Sequence, residues 1–199
     1  MSNQKLQYKK MNIEELIVLS QQNDIKALEE LLKKIQKDIF ATFSYLSKNR
    51  QNISDLTQEA LLRIAKNLKS LKNPKYFKSW SNQIVTHLFY DELRKSSKKP
   101  DILSIDDTEN QELIGNLKDK IADKHCKPYE KCLSIELEHV IQSEISNLPK
   151  HFRIAIVLRD MQGLSYDEIA EITKSNIGTV KSRISRARAK LQENLKNYI

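Results

Sequence analysis

The chain has 199 residues, a formal net charge of +8, and only 3 glycines and 4 prolines. The length suits one large or two small domains, and the lack of a strong alternating apolar pattern favours an all-α fold over a β fold. The sequence has no apolar run of about 18 residues and no apolar core near its start, which predicts a cytoplasmic protein without membrane insertion, and the positive charge predicts a polyanionic partner.

Apolar residues at helical spacing predict four helices in the first half of the chain. The first follows Asn12, a capping residue, and runs to about Ser20. The second begins at Asp24 and continues to about Leu46, and the others cover about 54–68 and 76–95. Together they predict one helical domain over residues 10–98.

The third predicted helix has an unusual outer face. Its buried arc is apolar, but Leu62 falls on the opposite side among polar residues. An isolated exposed leucine is common on protein surfaces, and it can also be the apolar anchor of a docking surface with a polar rim. The residues of this candidate surface are Asp55, Gln58, Glu59, Leu62 and Arg63.

The fourth predicted helix separates an apolar stripe from a polar face. Phe77, Trp80, Ile84 and Leu88 form the stripe, which predicts that Trp80 belongs to the core. Hydrogen-bonding groups and one aromatic ring on the other face could receive the extruded bases of a single strand, although a merely solvated face is the alternative. The candidate residues there are Asn82, Gln83, Thr86, His87, Tyr90 and Arg94.

An acidic, weakly periodic stretch divides the chain. Residues 100–144 contain 11 acidic residues against 5 lysines, whereas residues 66–99 and 174–196 are strongly basic. We predict a flexible linker over 99–131 and a second domain over 132–199. Two basic modules around an acidic middle indicate a protein that touches nucleic acid at two places.

The second domain carries the pattern of a helix-turn-helix. Gly163 ends an apolar helical segment, and Ser165 with Glu168 forms a capping box for a short helix. Residues 173–176 form a polar turn in which Asn176 caps a long basic helix. A solvated basic helix of a bundle is the alternative, but capping, turn and charge together favour DNA binding.

The long basic helix has one face for packing and one for DNA. Val180, Ile184, Ala187 and Leu191 form its apolar stripe. Arginine forks and small hydroxyl groups elsewhere on the helix suit the major groove, where arginine binds guanine edges and phosphates. The candidate DNA-binding residues are Lys181, Ser182, Arg183, Ser185, Arg186 and Arg188.

Two further patterns are weaker candidates for chemistry. Cys126 and Cys132, with His125 and His139, do not have the spacing of a usual zinc site, so we expect reduced thiols. An acidic cluster that includes Asp160 and Asp167 suggests a metal-dependent nuclease, but acidic groups also suit a helix N-terminus. We therefore expect no metal, no cofactor and no enzymatic activity.

In this order, the motifs resemble those of bacterial RNA polymerase sigma factors of the sigma-70 family, extracytoplasmic-function (ECF) group. Residues 55–63, D-L-T-Q-E-A-L-L-R, resemble the family motif that docks on the β′ clamp helices of the polymerase. Phe77, Trp80 and residues 91–95, D-E-L-R-K, resemble the helix that recognises and melts the −10 element. Residues 163–170, G-L-S-Y-D-E-I-A, and the basic helix from Gly178 resemble the domain that binds the −35 element.

The resemblance implies two helical domains that bind core RNA polymerase and direct promoter-specific initiation. It assigns polymerase binding to the outer face of the third helix, −10 binding to the polar face of the fourth, and −35 binding to the basic helix. It also implies promoter DNA and an anti-sigma factor as partners. A polymerase-binding decoy or a helix-turn-helix regulator that cannot open promoters is the alternative, with a metal-dependent nuclease less favoured.

Overall fold

The computed structural model describes residues 7–48, 51–96, 128–196 and 198, and within these residues it contains helices and no strand. The all-α prediction is therefore confirmed, while 97–127, most of the predicted linker with Cys126, lies outside the described residues. No helix of the described part is long and apolar enough to cross a bilayer.

The α-helices are α1 (Ile13–Gln21), α2 (Ile25–Leu46), α3 (Ile53–Asn67), α4 (Phe77–Ser96), α5 (Pro128–Asn147), α6 (Lys150–Ile156), α7 (Tyr166–Thr173) and α8 (Ile177–Leu195). Short 3₁₀ turns lie at Leu68–Ser70 and Pro74–Tyr76, and a π-helical segment lies at Val157–Met161.

Side-chain caps set the starts of α1 and α2 close to their predicted positions. Asn12 and Glu15 form a reciprocal capping box at α1, with bonds of 2.8 and 2.9 Å. Asp24 accepts from the backbone of Lys26 and Ala27 at the start of α2. The bond from Ala27 is the main reason that the pKa of Asp24 is lowered. These bonds satisfy amide groups that the first helical turn cannot pair by itself.

Helix α2 is the centre of the first domain. It packs against α1 on one side and α3 on another, and α4 closes the bundle. Leu31 and Phe43 of α2 are fully buried, as are Leu16 of α1 and Ile64 of α3. Burial of such apolar side chains provides the main driving force for forming this core.

A π-helical segment reshapes the second domain between α6 and α7. The Gln162 amide reaches back five residues to the Val157 carbonyl, at 3.0 Å. Gly163 then adopts a φ of +68°, a left-handed conformation that glycine adopts without steric cost, and the chain turns toward α7. Within this widened turn, Asp160 faces α8 and Gln162 faces α2.

The two domains contact each other through polar groups at the C-terminal half of α2. Arg153 of α6 donates to the carbonyl of Leu46, and Gln142 of α5 donates to the carbonyl of Ser44 at 2.9 Å. Gln162 donates to the hydroxyl of Thr42 at 2.6 Å and accepts from Asn82 of α4 at 3.5 Å. We call this contact the domain seam. Its residues are Thr42, Ser44, Leu46 and Asn82 on the first domain and Gln142, Arg153 and Gln162 on the second.

The predicted orientation of α4 is wrong at two positions on its polar face. Asn82 and Thr86, expected to point outward, are buried, whereas Trp80 and Ile84 of the predicted stripe are only half-buried. Asn82 contacts Gln162 of the second domain. Periodicity within one helix reports a polar face but cannot reveal that another domain covers it.

Gly163 and Gly178 offer a matched test of backbone strain, because Gly163 has a left-handed φ and Gly178 lies within a regular helix. An added Cβ meets nothing within 4 Å at Gly163, so the cost of Gly163→Ala comes from its φ of +68° alone. We expect a loss of about 1–2 kcal/mol in the free energy of unfolding. Gly178→Ala, in α8, meets only an ordinary contact at 3.6 Å and should be neutral or stabilising. Urea unfolding of both variants measures the difference, and equal losses would contradict the backbone explanation.

Candidate nucleic-acid interface

Helices α7 and α8 form a helix-turn-helix whose turn is set by two residues. Lys174 adopts a left-handed conformation, φ +50°, after the last residue of α7. Asn176 then caps α8, with its side chain accepting from the Thr179 amide at 2.7 Å. The predicted capping box between Ser165 and Glu168 is also present at the start of α7. The elements that orient α8 are therefore those the sequence predicted.

The predicted faces of α8 match its burial. Val180, Ile184 and Ala187 are buried against the rest of the domain. Ser182, Ser185 and Arg186 are exposed, with the arginine flanked by small side chains. Because small neighbours leave room for close approach, this face can enter a groove of duplex DNA.

Arg188, on one flank of α8, is paired with an acidic residue of the π-helical segment. Its Nε and Nη2 atoms donate to the two carboxylate oxygens of Asp160, at 3.1 and 2.5 Å. This hydrogen-bonded partner raises the pKa of Arg188. A bidentate pair fixes the orientation of the guanidinium, so a phosphate must compete with Asp160 for it.

On the same flank of α8, the ring of Tyr166 contacts two positively charged side chains. The Arg159 guanidinium lies 4.7 Å from the Tyr166 ring centroid, and the Lys181 ammonium lies 5.7 Å from it. Arg159 also donates to the Leu164 carbonyl at 2.7 Å. Arg159 and Tyr166 could not be predicted as part of this surface, because neither belongs to the periodic pattern of α8. The nearest signal was the capping box, which places Tyr166 at the first turn of α7.

Arg183 lies on the opposite flank, toward the first domain. Its guanidinium donates to the Ser175 hydroxyl at 2.9 Å. Burial lowers the pKa of His151, and the charge of Arg183 lowers it further. Burial raises the pKa of Tyr90, and Arg183 opposes that shift. Arg183 therefore lies on a flank of α8, apart from the exposed face of Ser182, Ser185 and Arg186, as the helical spacing predicts.

A basic cleft of about 1020 Å³ lies between the domains beside α4. His87 and Arg94 are exposed, and Tyr90 is half-buried at its wall. Asp91 binds Arg94 at 2.7 Å and therefore offsets part of the positive charge. The lining residues include Arg63, His87, Tyr90, Asp91, Arg94, Lys150 and Lys174. The structure thus brings three of the six candidate α4 residues to the cleft, while Asn82 and Thr86 are buried and Gln83 is half-buried.

The outer face of α3 is an open surface that adjoins the cleft at Arg63. Leu62 is 55% exposed, as its predicted orientation requires. Asp55, Gln58 and Glu59 are exposed near it along the helix, and Arg63 pairs with Glu59 at 2.7 Å. The arrangement is an apolar side chain within a polar rim, a composition suited to protein docking.

The acidic cluster of the second domain does not assemble a metal-binding group. Asp160 is occupied by Arg188, and Glu168 belongs to the capping box. In the part of the chain that the structure describes, no three His, Cys, Asp or Glu side chains converge on one point. Cys126 and the side chain of Cys132 fall outside the described residues.

Two family models match the chain, one in each half. "Sigma-70 region 2" matches residues 31–99, and "Sigma-70, region 4" matches residues 138–191.

Curated relatives match over most of their length. The chain is 33% identical to the ECF RNA polymerase sigma-E factor of Haemophilus influenzae, with 90% of this chain and 93% of the relative covered. It is 31% identical to the ECF RNA polymerase sigma factor SigW of Bacillus subtilis, with 94% and 98% covered.

Solved structures show the same fold. A sigma factor RpoE in complex with the anti-sigma factor NepR from Bartonella quintana superposes with a TM-score of 0.63, at 25% identity, covering 86% of this chain and 98% of that one. CnrH, in complex with the cytosolic domain of CnrY, superposes with a TM-score of 0.62 at 19% identity, covering 94% and 99%.

Release of Arg188 should increase binding to duplex DNA. If Arg188 contacts DNA phosphate, we expect Asp160→Asn to raise the affinity and to steepen its salt dependence by about one phosphate contact, a slope change of roughly −0.9, because the guanidinium is released from the carboxylate. Asp167→Asn, an exposed position on α7, removes the same charge as a control. Fluorescence anisotropy with a labelled duplex at several salt concentrations measures both slopes. Equal slopes for the two variants would show a general charge effect.

Proposed function

The chain belongs to the ECF group of the sigma-70 family, and we propose that it binds core RNA polymerase and directs promoter-specific initiation of transcription. The exposed face of α8, at the end of a capped helix-turn-helix, carries this proposal. It lies within the segment that matches region 4, residues 138–191. A regulator or decoy without promoter-opening activity would also bind a partner, so run-off transcription with purified core polymerase is the decisive experiment.

For the −35 element, the proposed contacts are on α8. Ser182, Ser185 and Arg186 are the exposed residues best placed for base edges. Lys181, stacked on Tyr166, and Arg188, bound by Asp160, lie on one flank and suit phosphate contacts. Arg183 completes the proposed set, on the flank that faces the first domain.

For the −10 element, the proposed surface is the polar face of α4. Tyr90 can stack on a base, and His87 and Arg94 supply a donor and a charge at the basic cleft. Asn82, Gln83 and Thr86 extend the same face with groups that can hydrogen-bond to bases. These residues lie within the segment that matches region 2.

For polymerase, the proposed docking surface is the outer face of α3, which would contact the β′ clamp helices. Leu62 is the apolar anchor, and Arg63 pairs with Glu59 beside it. Water exclusion around an exposed leucine provides affinity, and a charged rim fixes the register of docking. Asp55 and Gln58 belong to the same rim.

The remaining assignments follow from this function. We propose a polymerase- and −10-binding domain over 10–98, a linker over 99–131 and a −35-binding domain over 132–199. The protein would act in the cytoplasm without a cofactor or catalytic activity of its own. An anti-sigma factor is a proposed partner, since the matched structures of RpoE and CnrH are complexes with NepR and with CnrY.

Replacement of Arg186 tests the −35 assignment. We expect Arg186→Ala to weaken promoter binding of the holoenzyme by about 1–3 kcal/mol, the value of a bidentate contact to one base pair. Lys190→Ala removes an exposed charge elsewhere on α8 and serves as the control. Footprint titrations on a −35 sequence and its point variants give affinity and preference. Unchanged affinity and preference for Arg186→Ala would remove this residue from the interface.

Replacement of Leu62 tests polymerase docking. We expect Leu62→Asp to abolish co-elution with core polymerase, because the contact would bury a charge without a partner. The melting temperature should stay nearly the same, since the side chain is exposed in the free protein.

Ile25→Asp provides the matched control for this experiment. Ile25 is 79% exposed on the same domain, at the first turn of α2. This variant should co-elute with polymerase as the wild type does. Co-elution of Leu62→Asp at wild-type stoichiometry would exclude the outer face of α3 as the docking site.

A further inference from the structure

Two lysines on the second-domain wall of the basic cleft are not neutralised. Lys150 and Lys174 line this wall, and among the described residues neither forms an ion pair with a carboxylate. Of the described residues that line the cleft, Asp91 alone is acidic, and its carboxylate lies 2.7 Å from Arg94 and 4.0 Å from Arg63. The cleft therefore has an excess of positive charge, to which both domains contribute.

This excess charge favours an anion between the two walls. A neighbouring group already responds to it: burial is the main cause of the lowered pKa of His151, and the charges of Arg183 and Lys150 lower it further. Cations that face one cleft repel each other, and an anion placed among them removes that repulsion. A single phosphate cannot contact cations on both walls of a cleft of about 1020 Å³, whereas a chain of phosphates can.

The cleft also offers an aromatic ring and apolar groups. Tyr90 is half-buried at the wall, and burial raises the pKa of its hydroxyl. Leu93 and Ile172 belong to the same lining. The face of a tyrosine ring can stack on any nucleobase, and apolar neighbours exclude water from such a contact. The volume of the cleft corresponds to the upper range of small-molecule sites.

We propose that the cleft is a binding site for a nucleoside polyphosphate, with the base on the ring of Tyr90 and the phosphates held by Lys150, Lys174 and Arg94. Lysine serves there as a point charge, and the planar guanidinium of arginine matches two phosphate oxygens at once. Arg94 is suited to this contact because 74% of its side chain stays exposed beside Asp91.

This site differs from the surface proposed for the −10 strand, although Tyr90 and Arg94 belong to both. The strand requires the face of α4 alone. The nucleotide additionally requires Lys150 and Lys174, which lie at the start of α6 and after the end of α7. Binding of the nucleotide therefore does not depend on whether α4 binds a strand, and the two lysines distinguish the two ligands.

Two substitutions remove the lysines without altering any residue proposed to bind DNA or polymerase. Lys150→Gln removes the charge from α6. Lys174→Asn removes the second charge and suits the left-handed backbone at this position, φ +50°. Lys37→Gln, at an exposed position of α2 outside the cleft, is the matched control. Tyr90→Leu removes the ring and keeps an apolar side chain.

Calorimetric titration of the full chain with ATP and with inorganic triphosphate tests the site, in a magnesium-free buffer so that the phosphates keep their full charge. We expect saturable binding of one ATP per chain. Each cleft lysine substitution should weaken it about fivefold, the order of one exposed charge contact, and Lys37→Gln should not. Inorganic triphosphate should bind about tenfold more weakly than ATP, the order of one base stacked on a ring. Tyr90→Leu should weaken ATP binding by the same factor and leave triphosphate binding unchanged.

The remaining outcomes each contradict the proposal. Absence of saturable ATP binding would overturn the site, and so would an equal loss of affinity in Lys37→Gln and in the two cleft lysine variants. Equal affinities of the wild type for ATP and for triphosphate would overturn the contact between base and ring. If circular dichroism shows that Tyr90→Leu is unfolded, the comparison of these two ligands on the wild type decides that contact.

Discussion

The guanidinium of Arg153 occupies the point where the two domains meet, and the arrangement of the surrounding helices depends on it. It donates to Leu46, the last residue of α2, where a helix leaves its carbonyls unpaired and presents the negative end of its dipole. It also donates to Leu148, just before α6. Burial lowers the pKa of Arg153, but an arginine keeps its charge even then. The charge thus ties the end of the longest helix of the first domain to the start of the second.

Attachment at this point determines which surfaces stay open. The outer face of α3 and the exposed face of α8 point away from the seam, so Leu62 and Arg186 are available in the free protein. On the polar face of α4, Asn82 and Thr86 are buried, whereas His87 and Arg94 stay exposed at the cleft between the domains.

Local signals in the sequence predicted most of the fold. Capping residues such as Asn12, Ser165 and Asn176 fixed helix starts to within a residue or two, since each satisfies amides of its own first turn. The outward orientation of Leu62 and Arg186 also followed from helical spacing alone. The buried state of Asn82 could not be predicted in this way, because its partner Gln162 lies 80 residues away in the chain. The pairing of Arg188 with Asp160 also gave no signal in the periodicity of α8, because Asp160 belongs to a different element.

The π-helical segment makes the length of this stretch as important as its composition. Asp160 reaches α8 from one side of the segment, and Gln162 reaches α2 from another. A π turn holds one residue more than an α turn. Deletion of one residue would restore regular α-helix and rotate every later side chain by about 100°. Gln162 and Asp160 could not then both keep their partners. Among relatives, single-residue insertions and deletions should therefore be tolerated in the surface turns and selected against between Val157 and Gly163, whichever amino acids fill those positions.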